Sequence, residues 1–346
     1  MIELNTEYSS SRKPHKPGSL PRNRLRFSFP EVHPQARFDL EFQRTLRIPD
    51  DGNDYPLPPG LGRFPLRHVD DFADRIPAPW REHGGVMLPM FQSEAMWINF
   101  DSPVGYPFLV KIAAGKINAV TGESWEDVPH QDPQDYLVIP DQPWLDGFCV
   151  EKGLIRQFVA APLGSGYTVE EQITGEGAFG GLQIIAFPMK AEEWEKHRHR
   201  PRKRMMEIPP DALKCMASPD MGLAMGGRME QKIDRDPYDF SVWDLEHRSR
   251  CYVHLANSIS WRAITGEAPP TMPPTAEHYS EHGLPWFEYY SEAQAVEGSK
   301  ILEGVRSVAE MDVEKPRGTG LLPENRTPDK VTIVRLGNKP GVVREF

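Results

Sequence analysis

Thirty-five of the 346 residues are proline, roughly twice the usual share of about 5%. Each proline removes a backbone donor and fixes φ. Long uninterrupted helices are therefore excluded over most of the chain, and any core has to be assembled from short elements. Hydrophobic residues make up 39% and charged residues 26%, a globular composition, and a chain of this length can bury a sizeable core without disulfide staples.

The prolines are unevenly spread. Residues 1–37 hold seven Lys or Arg against three Glu, with prolines at 14, 17, 21, 30 and 34. Pro56, Pro58 and Pro59 continue the pattern. Residues 1–66 are therefore expected to form a Pro-rich, largely disordered or extended N-terminal arm. The texture changes at Gly84-Gly85. Val86–Phe91, Ala95–Phe100, Phe108–Ala113, Lys116–Val120, Tyr136–Ile139, Leu154–Ala160 and Gly181–Met189 read as strands broken by turns. Such runs, without helices between them, predict a β-rich core over 84–190 rather than βαβ units.

Residues 191–312 read as a mixed helix and loop part packed on that core. A short charged helix is expected at Ala191–Arg200, and a further helix at Pro285–Val296. An apolar stripe runs through Ser299–Met311, and Arg250–Ile264 fits either a helix or a strand pair. Residues 313–346 are expected to be a linker and a terminal hairpin of Val331–Leu336 with Val342-Val343. The predicted fold class is α+β: a β-rich, antiparallel, sandwich-like body with short helices in the C-terminal part.

Thr-Gly-Glu ends an apolar stretch three times, at 121–123, 174–176 and 265–267. The spacings differ, so no solenoid is implied. A shared stop signal, with glycine supplying positive φ, accounts for the echo, and an old duplication is the alternative.

The net charge is −10, so general affinity for nucleic acid is not favoured. The charge is nevertheless segregated. Lys196, Arg198, Arg200, Arg202, Lys203 and Arg204 crowd into nine positions, a candidate surface for a protein or anionic partner. Three widely spaced cysteines form no disulfide framework. Together with the lack of an apolar leader or membrane span, they point to a cytoplasmic, soluble protein with no transmembrane segment.

The candidate chemistry is sparse. Cys149 is a candidate nucleophile with His130 or His83 as its base, although a free cysteine usually acts as a small buried hydrophobe. His278 and His282 lie four apart, as two ligands on one helix face would, with zinc the ion their type suits. The Gly-x-Gly-x-x-Gly at 175–180 precedes a predicted strand instead of following one, so it fails the dinucleotide fingerprint. The reading that follows is a non-catalytic binding or assembly protein of unknown ligand and oligomeric state, with no cofactor predicted. The alternative is a hydrolase or transferase using the cysteine or a histidine-bound metal.

Overall fold

The stretch Arg-Phe-Asp-Leu-Glu-Phe-Gln-Arg-Thr at 37–45 alternates apolar and polar side chains, the period of a half-buried strand. In the computed structural model it is one. Phe38, Leu40 and Phe42 are fully buried on one face. On the other, Asp39 accepts two hydrogen bonds from Arg26 at 2.6 and 2.8 Å. The structure describes residues 1–4, 23–198, 220–289, 293–314, 327–328 and 331–336.

Leu25–Ser28 pairs antiparallel with Arg37–Thr45, which pairs in turn with Ala95–Asp101 along seven positions. The path continues through Leu154–Pro162, Asp220–Glu230, Ser249–Asn257 and Leu182–Pro188 to Phe108–Ala114, antiparallel throughout. The rings of Phe38 and Phe108 lie 4.8 Å apart, so the two ends of this path meet in the core. One apolar cluster runs from Leu25 to Val305. The protein is thus β-rich with a large antiparallel sheet and short helices.

The arm expected over 1–66 is overturned where the chain is described. Residues 23–66 contribute strands, and Leu25, Phe27, Leu46, Ile48, Phe64 and Leu66 are buried. At about 1.5–3 kcal/mol for each large apolar side chain, their burial outweighs the solvation of the basic residues between them. The prolines at 30, 34, 49, 56, 58 and 59 fall outside the strands they separate. Residues 5–22 lie outside the described residues.

Further expectations are corrected or resolved. Pro285–Tyr289 is a strand, not a helix, and pairs in parallel with Thr332–Leu336. Trp286 and Phe287 favour the pleat, and Phe287 exchanges backbone hydrogen bonds of 2.8 and 2.7 Å with Leu57. The partner of Thr332–Leu336 is therefore not a terminal hairpin strand; 342–343 lie outside the described residues. Arg250–Ile264 is both things in turn, a strand to Asn257 and a helix over Ser258–Thr265. The switch falls at Asn257, whose side chain caps Ile259 N at 3.1 Å. Helices at Ala78–His83 and Val169–Thr174 show that helix is not confined to the C-terminal part.

The three Thr-Gly-Glu copies are one local device. Gly122, Gly175 and Gly266 all have φ between +72° and +81°. Each donates its N–H to the carbonyl four residues back, on Asn118, Glu171 and Arg262, at 2.9 Å. Each following Glu N–H meets the threonine hydroxyl, at 3.4, 3.2 and 3.1 Å. The shared stop is a left-handed glycine cap.

Asp146 makes a pH-dependent contribution. Burial pushes its carboxyl up to about 7, although the Gln231 amide and the Trp144 indole pull it the other way. An unfolded aspartate titrates near about 4, so the folded chain holds a proton that the unfolded chain releases. This contribution is complete at low pH and lost as pH rises from about 4 through 7, by about 4 kcal/mol in all. Urea unfolding of Asp146→Asn should remove that component, so that the wild-type-minus-variant difference changes by a few kcal/mol between pH 4 and 8. A constant difference would contradict it.

Candidate functional site

Three glutamines build the frame of the candidate site. Gln231 receives the Asp146 N–H at 3.0 Å and donates to its carboxylate at 2.6 Å. Gln142 receives Asp234 N–H at 2.9 Å and donates to Trp144 and Lys232 carbonyls at 2.9 and 3.2 Å. Gln134 receives Asp236 N–H at 2.8 Å and donates to Tyr136 and Asp234 carbonyls at 2.9 and 3.2 Å. Each amide presents a donor and an acceptor, as a backbone unit does. Together they zip residues 231–236 onto 134–146, two stretches that no strand pairing joins among the described residues.

This zipper sets Arg235 at the rim of a cleft of about 300 Å³. Its other walls are the 120–123 cap, the 131–134 turn with a cis Asp132-Pro133 bond, and residues 296–301. The last wall is fixed from behind. Ser299 N donates to Cys149 O at 3.0 Å, and its hydroxyl to Thr121 O. Gly298 lies so close to the 150–151 backbone that a Cβ would sit 2.2 Å from Glu151 Cα. Val296 N donates to Ile233 O at 2.8 Å. The cleft is therefore preformed, with walls drawn from four separate stretches of chain.

Its charges divide into engaged and free. Glu297 pairs with Lys152 at 2.5 Å, and that hydrogen bond, then the ammonium charge, holds its carboxyl below the usual range. The amide oxygen and the amide nitrogen of Gln134 are both used internally. Among the described residues, the side chains of Arg235, Lys300, Glu123 and Asp132 make no hydrogen bond or ion pair, and all four are exposed.

The residues singled out from the sequence do not converge. Cys149 is 1% exposed behind the cleft wall, and burial pushes its thiol up to about 12. A thiol held protonated is a poor nucleophile near pH 7. His130 hydrogen-bonds Asp135 at 3.1 Å through Nδ1. His83 stacks on Tyr252 at 4.5 Å and on Phe179 at 5.6 Å. Among the described residues no hydrogen bond, ion pair or ring contact links these three. His278 lies in the short helix Ala276–Glu281 and His282 is its C-cap, with rings 5.0 Å apart. His282 Nδ1 is spent on the His278 carbonyl at 2.8 Å. Among the described residues no third His, Cys, Asp or Glu joins them in a group that could hold a metal ion.

No family model, curated protein or solved structure matches this chain.

In the basic segment, Lys196 pairs with Glu193 at 2.7 Å and Arg198 with Glu195 at 2.9 Å, each one helical turn back. Arg200, Arg202, Lys203 and Arg204 lie outside the described residues. In the glycine stretch at 175–180, Glu170 accepts the Gly180 N–H at 2.8 Å and the Phe179 N–H at 3.3 Å. Those amides, which a phosphate would need, are already bound to a carboxylate. Sequence reading missed Arg235, Lys300 and the glutamine frame. The turn itself had a signal in Gln-Asp-Pro-Gln at 131–134, but nothing local tied it to residues 235 or 298. Among the described residues no helix is long and apolar enough to cross a membrane.

Proposed function

We propose that this is a non-catalytic binding protein that takes a small polar ligand in the cleft between residues 120–134, 235 and 296–301. The observation that carries the reading is a preformed cleft of about 300 Å³ with four exposed lining charges, Arg235, Lys300, Glu123 and Asp132, that make no hydrogen bond or ion pair among the described residues. A volume at the low end of small-molecule sites suits a ligand of metabolite size. The frame is already hydrogen-bonded, so little conformational freedom would be lost on binding. The dispersal of Cys149, His130 and His83 also favours binding over thiol chemistry.

The cleft lies beside a body that we read as sandwich-like, a reading supported by the Phe38–Phe108 contact across the core. The basic segment from Lys196 to Arg204 is a second proposed contact, for a protein or anionic partner. The i,i+3 pairs at Lys196 and Arg198 are exposed and weak, so they would yield to such a partner.

A ligand-observed NMR screen of polar metabolites against the full chain tests the main reading. Ile301 lines the cleft and is 46% exposed, so Ile301→Trp should fill the space with little cost to folding. Hits on the wild-type protein are expected to vanish with this variant. Hits that persist unchanged, or a screen with none, would count against the cleft.

A further inference from the structure

The free charges of the cleft are of both signs, and that restricts its ligand. Arg235 and Lys300 offer a guanidinium and an ammonium, and Glu123 and Asp132 offer carboxylates. Glu297, the other acid lining the space, has Lys152 at 2.5 Å and also feels the Arg235 charge, though without an ion pair between them. Among the described residues no ion pair joins either cation to either of these acids, and the four stand on separate stretches of the lining. Arg235 is carried by the glutamine-zipped segment. Asp132 is set on its own turn, and Glu123 and Lys300 follow the Gly122 and Ser299 caps. A purely anionic ligand would satisfy the cations and face two unpaired carboxylates, while a polyamine would do the reverse. Like-charge contact of this kind selects against the wrong ligand as strongly as pairing favours the right one.

From this we propose that the ligand is a small zwitterion, a free amino acid or dipeptide. Its carboxylate is taken by Arg235 and Lys300, and its ammonium by Asp132 and Glu123. The size agrees. An engineered cavity of about 150 Å³ holds one benzene, and the cleft offers about 300 Å³. A guanidinium grips a carboxylate by two parallel hydrogen bonds, the arrangement that fixes orientation as well as charge.

This inference rests on the binding reading above, and the two can fail separately. Isothermal titration of the full chain would use the common free L-amino acids and Ala-Ala. Two analogues, N-acetyl-Ala-Ala and Ala-Ala-amide, each lack one charge. A zwitterion should bind, and either analogue should bind weaker by roughly tenfold or more, since a charge-assisted contact is lost. Arg235→Gln and Asp132→Asn alter exposed side chains. Each should weaken binding by a similar factor with the thermal midpoint unchanged. If the acetylated probe binds as tightly as the parent, the ligand is an anion. If the amide does, it is a cation. Either result overturns the zwitterion and leaves the cleft as a binding site. If no probe binds while the wild-type screen still yields hits that Ile301→Trp abolishes, the zwitterion fails alone. If that screen is also blank, both readings fall.

Discussion

Glu94→Ala is expected to lower the free energy of unfolding by about 3–5 kcal/mol, the range for breaking a buried ion pair by removing one partner. The Glu94 side chain is fully buried and meets Arg44, itself almost buried, at 2.6 Å. Burial drives the carboxyl pKa upward, against the Arg44 charge and the Phe91 N–H at 2.9 Å, which pull it down. The alanine variant would leave the guanidinium without its counter-charge, held only by the Thr271 carbonyl and the Phe64 ring, and the Phe91 donor unpaired. It would also cut a tie between the 37–45 strand and the turn that precedes 95–101. Glu94→Gln keeps an acceptor for Phe91 and for one guanidinium N–H, so it should lose less. Urea unfolding at pH 7 measures both. A loss under about 1 kcal/mol for the alanine variant would place this pair with weak surface pairs.

The second large effect falls on the cleft. In Gly298→Ala the new methyl would lie 2.2 Å from Glu151 Cα, 2.3 Å from Val150 O and 2.4 Å from Glu151 N. These are backbone atoms, which cannot rotate aside. The 296–301 wall must therefore move off the 147–151 strand, breaking the Ser299–Cys149 hydrogen bond. A cost of about 1–3 kcal/mol is expected, as for overpacking elsewhere, with loss of all cleft hits. Gly304→Ala is the control. Its φ is −75° and its nearest neighbours would be 3.5 Å away, so it should be neutral or stabilising by about 0.4–1 kcal/mol. If both variants bind ligand equally, the wall is not what shapes the site.

The central strands were readable because they are short apolar runs that begin directly after a glycine pair, as at Val86–Met90 and Leu182–Pro188. The first hairpin was as readable in principle. Phe38, Leu40 and Phe42 alternate with Asp39, Glu41 and Gln43. Proline density and basic charge around it outweighed that alternation, yet the prolines lie between strands and the charges pair across them, as Arg26 does with Asp39. Pro285–Tyr289 misled because Pro285 looks the same at the start of a helix or a strand. The aromatic pair behind it was the better guide. Cys149 was legible as buried from its flanks Phe148 and Val150.

The cleft was not legible at all. Its walls come from residues near 120, 132, 235 and 298, and what joins them is side-chain amides acting as backbone. Gln134, Gln142 and Gln231 have no periodicity and no motif, so their role depends on a fold already formed.

Amide chemical shifts of the full chain, followed as a cleft ligand from the screen is added, test the central claim most directly. The account predicts saturable shifts confined to residues 120–123, 131–134, 235 and 296–301, with neighbours along the Gln134 and Ser299 hydrogen bonds moving less. Shifts centred instead on Tyr252 and His83, or on the helix at Ala191–His197, would contradict it.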